Sequence, residues 1–408
     1  MRKKPATVSR LDRWLARKLI ASREGVPVAF VLWNGEEIRG GGAAPLARVR
    51  FADRRALRGL ALHPELAFGD AYAAGRIEVE GDLVRLLGAL FAAPERRDLL
   101  GRLAARRWRQ PRPNTTRRAH ANIQRHYDLG NDFYRLWLDE GMAYTCAYFP
   151  SPGISLEEAQ LAKFEHVCRK LRLRPGERVV EAGCGWGSLA LYMAECHGAR
   201  VTACNISREQ VDFAREQARR RGLAGRVHFV HDDYRELRGR YDAFASVGML
   251  EHVGRAHHAE LGRVIDRCLE PAGRGLLHSI GRVKALPMNE WVQQRIFPGS
   301  YSPTLSEMAA LLEPFGFAVL DVENLRLHYA RTLEHWLERF EKQALRVEQR
   351  FDRAFVRTWR LYLAGAIASF RASSFELFQV LFARAGYADV PWTREHLSAA
   401  PRSAGPDR

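Results

Sequence analysis

The glycine-rich run from Glu181 to Gly187, Glu-Ala-Gly-Cys-Gly-Trp-Gly, restricts how this chain can fold more than any other feature. Alternating glycines suit a backbone that turns sharply and approaches a ligand closely. Residues 178–182 before the run are strand-like, and residues 188–196 after it have a helical pattern. This order of strand, turn and helix predicts the first βα unit of a Rossmann-like sheet, with a ligand site at the turn.

Further strand-like segments alternate with helical patterns after the glycine run. This alternation predicts an α/β fold with a doubly wound parallel sheet. The stretch from Thr332 to Ala385 is long, amphipathic and rich in aromatic residues, so we expect it to be helical and to pack on the sheet or on the N-terminal part. The strand-like segments are residues 200–205, 226–231, 243–247 and 275–280.

The first 95 residues have the pattern of a separate, smaller α+β domain. Leu11, Trp14, Leu15 and Leu19 recur at helical spacing between basic residues. This spacing predicts a basic amphipathic helix over residues 9–20. Strand-like segments follow at residues 26–32, 48–51 and 77–80.

Arginine-rich and proline-containing sequence fills residues 94–126, which is typical of a linker. We therefore expect three parts along the chain. Residues 1–118 form an N-terminal domain with its linker, residues 119–390 form the Rossmann-like domain, and residues 391–408 form a flexible tail.

The composition favours an intracellular protein that binds a polyanion. The six cysteines form no C-x-x-C pair, which argues against a zinc site and a disulfide framework, so no metal is expected. Neither an export signal nor an apolar run of about 20 residues is found, so we expect a cytoplasmic protein without a membrane span. The 64 Lys and Arg against 47 Asp and Glu give a charge of +17, which attracts nucleic acid or an anionic membrane. A merely solvated basic surface is the alternative.

The glycine spacing G-x-G-x-G differs from the G-x-G-x-x-G of dinucleotide sites. It favours S-adenosylmethionine (SAM), which has no pyrophosphate for a helix N-terminus to hold, and so predicts a methyltransferase. After the second strand, the amides of Asn205 and Gln210, or the carboxylate of Glu209, are candidates to bind the ribose hydroxyls. After the third strand, the run from Asp232 to Arg235 offers an acid and an aromatic ring for the adenine. An ordinary helix start and a capped loop are the alternatives.

The residues after the fourth strand limit the classes of molecule that can accept the methyl group. The run from Ser246 to Gly254 lacks the Asn/Asp-Pro-Pro-aromatic motif of amino-directed nucleic-acid methyltransferases, and no Pro-Cys pair occurs for attack on a pyrimidine. Near the predicted crevice lie Glu251, His252 and His278, which are suited to handling protons. Histidines satisfied within a core are the alternative.

Seven motifs in order together resemble the cyclopropane-fatty-acyl-phospholipid synthase family, including its mycolic acid cyclopropane synthase-like members, and the resemblance extends over about residues 126–385. A weaker resemblance over residues 68–87 implies that family's lipid-binding N-terminal domain. The motifs are HYDLGNDFY (126–134), MAYTCAYF (142–149), EAGCGWG (181–187), GMLEHVG (248–254), LHSIG (277–281), IFP (296–298) and HYARTLEHW (328–336).

The resemblance implies a reaction and its base. A cis double bond of a phospholipid acyl chain attacks the sulfonium methyl of SAM, and the resulting carbocation loses a proton before the ring closes. The family is understood to use a bound bicarbonate ion as the base, and its ligands correspond to Cys146, Glu251, His278, the backbone of Ile280, and Tyr329. Such groups hold a small anion and pass its proton outward.

The resemblance also implies the SAM contacts, to which the residue pattern adds Asp233. Rings at Tyr134, Tyr148, Phe149 or Phe297 are candidates for a wall that faces the carbocation, with core packing as the alternative. The full set of cofactor-binding candidates is Tyr144, Thr145, Glu181, Gly183, Gly185, Gly187, Asn205, Gln210, Asp233, Tyr234 and Arg235.

Residues 299–305 depart from the family's usual run after Phe297-Pro298. A methyl-branched or methylene-bearing product therefore stays open beside the cyclopropane. A nucleic-acid methyltransferase is a remote alternative, and the complete ligand set disfavours an inactive binding module.

The implied partner is an anionic membrane phospholipid with unsaturated acyl chains, bound peripherally at the inner face of the cell membrane. Residues 9–20 and 102–118 are the candidate contacts, and each Lys or Arg near an anionic leaflet contributes about 1 kcal/mol. Packing of the first helix on its own domain is the alternative. No nucleic-acid partner is expected, and a homodimer is left open.

Overall fold

The computed structural model describes residues 7–23, 25–40, 44–93 and 129–398. The predicted linker, residues 126–128 of the first motif and residues 399–408 of the predicted tail lie outside this part. The chain divides into two compact units. The small-sheet unit comprises Met1–Pro111, Pro287–Pro298 and Leu333–Ser374, and the large-sheet unit comprises Arg112–Leu286, Gly299–Thr332 and Phe375–Arg408. Two stretches of the predicted 119–390 domain thus group with the N-terminal part.

The strands are β1 (Val28–Val31), β2 (Glu37–Arg39), β3 (Ala47–Phe51), β4 (Ile77–Gly81), β5 (Arg178–Ala182), β6 (Arg200–Asn205), β7 (Val227–His231), β8 (Tyr241–Val247), β9 (Leu269–Gly281), β10 (Phe317–Asn324) and β11 (Glu376–Arg384). The α-helices are α1 (Arg10–Ala21), α2 (Arg54–Leu62), α3 (Pro64–Ala73), α4 (Leu83–Ala92), α5 (Asn131–Tyr134), α6 (Leu156–Leu171), α7 (Ser188–His197), α8 (Arg208–Arg220), α9 (Leu250–Val253), α10 (His258–Cys268), α11 (Glu290–Arg295), α12 (Leu305–Leu312), α13 (Arg326–Lys342), α14 (Ala344–Arg350), α15 (Arg353–Arg371) and α16 (Glu395–Ser398).

The small-sheet unit contains the strand order β2-β1-β3-β4, in which β1 and β3 are parallel and the outer pairs are antiparallel. Strand β3 alternates buried apolar residues with exposed arginines, so one of its faces lies on the core. Helix α1 starts with a capping box at Ser9 and buries Ala16 and Ile20, whereas Leu11 and Trp14 are 57% and 53% exposed. The predicted α+β domain and its first helix are confirmed.

A buried arginine explains why residues 333–374 belong to the small-sheet unit. Arg357, on α15, donates hydrogen bonds to the backbone carbonyls of Tyr72 and Ile77 and pairs with Glu78 at 2.9 Å. Its guanidinium also lies 4.2 Å from the centroid of the Tyr72 ring. These contacts join a late helix to α3 and β4 of the N-terminal part.

We expect Arg357→Met to lower the unfolding free energy by roughly 2–4 kcal/mol, because two buried carbonyls lose their donor. The exposed Arg353→Met on the same helix is the matched control, with an expected change within about 0.5 kcal/mol. Urea unfolding curves measure both values. Equal effects of the two substitutions would show that the hydrogen bonds of Arg357 do not stabilise the protein.

The large-sheet unit contains seven strands in the order β10-β11-β9-β8-β5-β6-β7. The chain runs from β5 outward to β6 and β7, and then returns to place β8 on the other side of β5. Ligands of open α/β sheets bind where the strand order reverses in this way, at the carboxyl ends of the strands. The glycine turn follows β5 and helix α9 follows β8, so both lie at this edge.

The structure confirms the Rossmann-like sheet but corrects two expectations about it. Strand β11 runs antiparallel to both β9 and β10, so the sheet is mixed and not purely parallel. The stretch from Thr332 to Ala385 is helical only as far as Arg371, and β11 follows. The sequence Glu-Leu-Phe-Gln-Val-Leu-Phe-Ala-Arg of β11 is buried on both faces, and an apolar run of this kind has no periodicity that separates a strand from a helix.

Within the described part of the chain, no helix has both the length and the apolar character needed to cross a membrane. Nor do the described residues contain a group of three or more His, Cys, Asp or Glu side chains suited to hold a metal ion.

Candidate active site

The three glycines of the turn have different surroundings although all have positive φ angles, of +82°, +53° and +86°. A Cβ atom on Gly183 would lie 2.8 Å from Met249, and one on Gly187 would lie 2.7 Å from the Phe229 ring. By contrast, no heavy atom of the described residues lies within 4 Å of the Cβ position at Gly185. Gly183 and Gly187 therefore serve close packing, whereas Gly185 faces space that a ligand can enter.

Asn205 and Gln210 brace this turn. The Asn205 amide donates to the Gly185 carbonyl at 3.2 Å and to Oε1 of Gln210 at 2.6 Å. Glu209 accepts a hydrogen bond from the backbone N–H of Asn131 at 2.9 Å. The Asn205 amide thus bonds to both Gln210 and the turn. This role is structural, and ribose binding by the two residues stays a prediction.

The adenine candidates also have structural partners. Asp233 accepts hydrogen bonds from the backbone and the guanidinium of Arg235, at 3.0 and 2.9 Å. Arg235 further pairs with Glu260 at 2.9 Å, and its guanidinium lies 4.9 Å from the centroid of the Tyr234 ring. Tyr234 is buried in the core beside the sheet. The run is thus held rigidly at the sheet edge, and its contact with adenine stays a prediction.

A buried charged group that the sequence did not reveal lies beside the turn. Lys163, on α6, donates from Nζ to the Thr145 hydroxyl at 2.8 Å and is 2% exposed. Burial lowers the pKa of Lys163 to about 8, and the nearby carboxyl groups of Asp139 and Glu181 oppose that shift. A lysine in an amphipathic helical pattern is normally solvent-exposed, so only the fold identifies this one.

Two neighbours of Lys163 have buried carboxyl groups, Glu181 and Asp139. Burial raises the pKa of Glu181, at the end of β5, to about 7, and no described residue bonds to its Oε2 atom. Asp139 accepts hydrogen bonds from the backbone of Gly141 and Ala143, both at 2.9 Å, and burial raises its pKa to about 6. The Glu181 carboxylate, with one oxygen that no described residue bonds, suits a cationic ligand group. Tyr144 lies nearby, with its ring 5.5 Å from that of Tyr134.

The proton-handling candidates meet where β8 and β9 end. Val247 pairs with His278 in neighbouring strands, and α9 follows directly with Glu251. Oε1 of Glu251 accepts the backbone N–H of Ile280 at 2.6 Å. In the part of the chain that the structure describes, neither Oε2 of Glu251 nor Nε2 of His278 has a hydrogen-bond partner, although both side chains are buried.

The buried environment determines the charges of Glu251 and His278. Burial raises the pKa of Glu251 to about 7, although the Ile280 N–H opposes that shift. Burial and the nearby charges of Lys163 and Lys170 hold the pKa of His278 well below its usual range. The imidazole is therefore neutral at neutral pH, and Glu251 is able to take up or release a proton there.

Cys146 and Tyr329 belong to the same region. The Tyr329 N–H donates to the Leu325 carbonyl at 3.1 Å, and the Cys146 sulfur lies 4.0 Å from that carbonyl oxygen. The Leu325 N–H in turn bonds to Leu377, which pairs with Ile280 across β9 and β11. All five predicted ligand residues are thus linked through one end of the sheet. Burial raises the pKa of Cys146 strongly, so its side chain is a neutral thiol.

The ring of Tyr148 is not available as a wall for a cation. It stacks on the imidazoles of His166 and His328, with centroid distances of 4.2 and 4.8 Å. Tyr134 is fully buried among Phe133, Trp137 and other rings, and Phe297 packs on Tyr362 within the small-sheet unit. For these rings, core packing is the observed role.

The raised pKa of Glu251 predicts a pH-dependent effect of Glu251→Gln on stability. An unfolded glutamate titrates near pH 4.3, so the wild type loses stability as pH rises from about 4.5 to about 7, where the buried carboxyl ionises. Glutamine carries no such cost. We expect the melting temperature of the variant to increase relative to the wild type across this window and the difference to stay level above it. Thermal melts without added bicarbonate test this, and parallel pH profiles would contradict it.

The sequence is similar to those of known proteins. Residues 114–380 match the family model described as mycolic acid cyclopropane synthetase, and residues 15–96 match a domain of unknown function. A probable fatty acid methyltransferase of Pseudomonas putida is 36% identical over 384 residues, which are 91% of this chain and 96% of that protein. The cyclopropane-fatty-acyl-phospholipid synthase of Escherichia coli (strain K12) is 40% identical over 260 residues, 64% of this chain and 66% of that protein.

A solved structure shares the fold over about two thirds of the chain. The mycolic acid cyclopropane synthase CmaA1, solved in complex with SAH and CTAB, is 27% identical with a TM-score of 0.62, and the match covers 64% of this chain and 97% of that one. The family match includes the glycine turn and the residues around Glu251 and His278. The chain therefore belongs to the mycolic acid cyclopropane synthetase family and is a SAM-dependent methyltransferase.

Proposed function

We propose that this enzyme transfers a methylene group from SAM across the cis double bond of unsaturated acyl chains in membrane phospholipids. The observation that carries the proposal is the pair of buried, unpartnered polar atoms, Oε2 of Glu251 and Nε2 of His278, in the described residues. A methyl transfer to oxygen or nitrogen releases a proton from the acceptor atom, and water or a nearby side chain can accept it. Removal of a proton from a newly added carbon needs a separate base in a dry site.

The residues around the glycine turn suit the cofactor. Gly185 leaves room for a close approach, Glu181 offers a carboxylate to the ammonium group, and the Thr145 hydroxyl offers a hydrogen bond. Lys163 can only donate to Thr145, so the hydroxyl hydrogen points elsewhere and suits a carboxylate. When bound, SAM supplies an electrophilic methyl group.

The cluster at the end of β9 suits bicarbonate. Glu251 accepts through Oε2 and the imidazole of His278 offers its free nitrogen, so one small oxyanion satisfies both buried atoms. The Ile280 N–H is bonded to Glu251, so we assign to Ile280 the orientation of that carboxylate. With a pKa near 7, Glu251 is suited to receive the proton from the bound anion and to pass it outward.

A second outcome, a methyl-branched or methylene-bearing acyl chain, is favoured by one specific observation. The atypical residues 299–305 lie against the site, because the Tyr301 N–H donates to the Glu251 backbone carbonyl at 2.8 Å. The match to the probable fatty acid methyltransferase, which extends over nearly the whole chain, supports the same alternative.

Product analysis decides between the two outcomes. The enzyme is incubated with SAM and vesicles of unsaturated phosphatidylglycerol, and the lipids are examined by proton NMR. High-field cyclopropane ring protons are expected. Branched-methyl or new olefinic signals would favour the second outcome, and unchanged lipids would reject both.

We further propose peripheral binding to anionic membranes through the exposed face of α1. Trp14 and Leu11 are more than half exposed there, and Lys18 lies 5.8 Å from the centroid of the Trp14 ring. An exposed aromatic ring beside basic residues suits the boundary between headgroups and acyl chains.

We expect the double variant Leu11→Ala, Trp14→Ala to bind phosphatidylglycerol vesicles about tenfold more weakly, since apolar burial at the membrane is lost. Trp392→Ala is the matched control, because Trp392 is fully exposed but belongs to the large-sheet unit. Co-sedimentation at low salt measures the affinity. Equal losses in both variants, or no vesicle binding by the wild type, would contradict the proposal.

A further inference from the structure

Gln379 bonds to His278 from the neighbouring strand. The two residues are direct partners in the antiparallel pairing of β9 and β11, so their side chains lie on the same face of the sheet. Nε2 of Gln379 lies 3.0 Å from Nδ1 of His278. Gln379 is 0% exposed and His278 is 2% exposed, so water does not compete for this bond.

The bond determines which nitrogen of His278 carries hydrogen. A neutral imidazole has one N–H group and one acceptor nitrogen. His278 is neutral, because burial and the positive charges of Lys163 and Lys170 lower its pKa. If the Gln379 amide donates to Nδ1, the only hydrogen of the ring lies on Nε2, the atom without a partner among the described residues.

The orientation of the Gln379 amide follows from the cost of unpaired groups. With the NH₂ group toward His278, the Gln379 oxygen is the amide atom that lacks a partner within the described structure. The reverse orientation would leave both amide hydrogens without an acceptor among the described residues and would turn the lone pair of Nε2 toward the anion site. In the observed orientation one amide hydrogen bonds to Nδ1, and Nε2–H is left to donate to a bound anion. The observed orientation is therefore the more stable one when the anion is bound.

We propose that Gln379 is a positioning residue that holds His278 as the Nε2–H tautomer, so that the imidazole donates a hydrogen bond to the bound oxyanion. This inference rests on the proposed function, because it concerns the same anion site. His278 then binds the anion without competing for its proton. Glu251, with its free oxygen, is left as the acceptor.

The tautomer of His278 in the wild type is the direct test. Protein with ¹⁵N-labelled histidine is examined by two-bond ¹H–¹⁵N correlation, and the His278 signals are assigned by their loss in His278→Asn. We expect the Nε2–H pattern over the whole range in which the protein is folded. An Nδ1–H pattern would overturn the proposal without any variant having to fold.

Gln379→Glu tests the consequence for catalysis. A carboxylate only accepts, so it moves the ring hydrogen to Nδ1 and turns a lone pair toward the anion. We expect the bicarbonate concentration for half-maximal activity to rise roughly 10- to 100-fold and the SAM dissociation constant to change less than about twofold, as for residues that orient metal-bound imidazoles. The exposed Gln349→Glu is the control for the added charge.

The outcomes separate this inference from the proposed function. A switched tautomer with an unchanged bicarbonate requirement would overturn the positioning role. A wild type that shows the Nε2–H pattern but gains no activity from bicarbonate would instead reject the anion in the proposed function. Loss of folding in Gln379→Glu would leave the wild-type tautomer as the deciding result.

Discussion

Glu251→Gln should slow turnover by about 10²- to 10⁴-fold while the SAM dissociation constant stays close to that of the wild type. The amide keeps the size of the side chain and can still accept the Ile280 N–H through its oxygen. It cannot receive a proton, and its NH₂ group replaces the free Oε2 acceptor. The loss therefore falls on the removal of the proton and not on binding of the cofactor.

Glu313→Gln is the matched control for this substitution, because Glu313 is exposed and its loss of charge should leave turnover unchanged. Single-turnover rates and equilibrium SAM binding are measured for all three proteins. If Glu251→Gln turned over at the wild-type rate, or lost activity only through weaker SAM binding, the role of Glu251 in the anion site would be rejected.

Gly187→Ala should mainly lower the stability of the protein, whereas Gly185→Ala should mainly weaken SAM binding. At Gly187 the new methyl would lie 2.7 Å from the Phe229 ring and 2.8 Å from Ala214, at a φ of +86°. We expect a loss of roughly 2–4 kcal/mol in stability, from overpacking together with the left-handed backbone. At Gly185 the methyl would contact no described atom, so we expect only the loss of about 1–2 kcal/mol in stability that the left-handed backbone causes. The methyl would, however, occupy space that the cofactor needs.

Gly222→Ala is the control for Gly185→Ala, since its φ is +67° and its Cβ position also has no described neighbour within 4 Å. Calorimetric SAM titrations and thermal melts separate binding from stability. We expect similar melting temperatures for these two variants but SAM binding weakened about tenfold or more only in Gly185→Ala. Equal SAM affinities would show that Gly185 does not face the cofactor.

The sheet and its glycine turn were predictable because both depend on local patterns. Strands β5 to β8 are short apolar runs separated by amphipathic helices, and the alternating glycines mark the first turn. Strand β11 was wrongly predicted as helix because its burial on both faces removes the period of two that identifies a strand. The pattern left open whether residues 333–374 pack on the sheet or on the N-terminal part, because Arg357 recognises backbone carbonyls and not a sequence motif.

The candidate site was predictable only as far as its motifs extend. Glu251 and His278 could be selected because Glu251 follows β8, His278 lies near the end of the neighbouring β9, and both belong to the family's motifs. Lys163 and Gln379 could not, because each is identified by a tertiary contact that belongs to no sequence motif, to Thr145 and to His278 respectively. The structure also shows contacts within the protein for two residues that were predicted to bind ligands. Asn205 braces the turn, and the Ile280 N–H binds Glu251.

The central claim is that a proton is removed from the newly transferred carbon after it reaches an acyl double bond. The most direct measurement uses SAM with a fully deuterated methyl group and vesicles of unsaturated phospholipid, followed by mass spectrometry of the acyl chains. The account predicts a product that retains two deuterium atoms, with activity that depends on bicarbonate and on Glu251. Retention of all three deuterium atoms, or no label in the acyl chains, would contradict it.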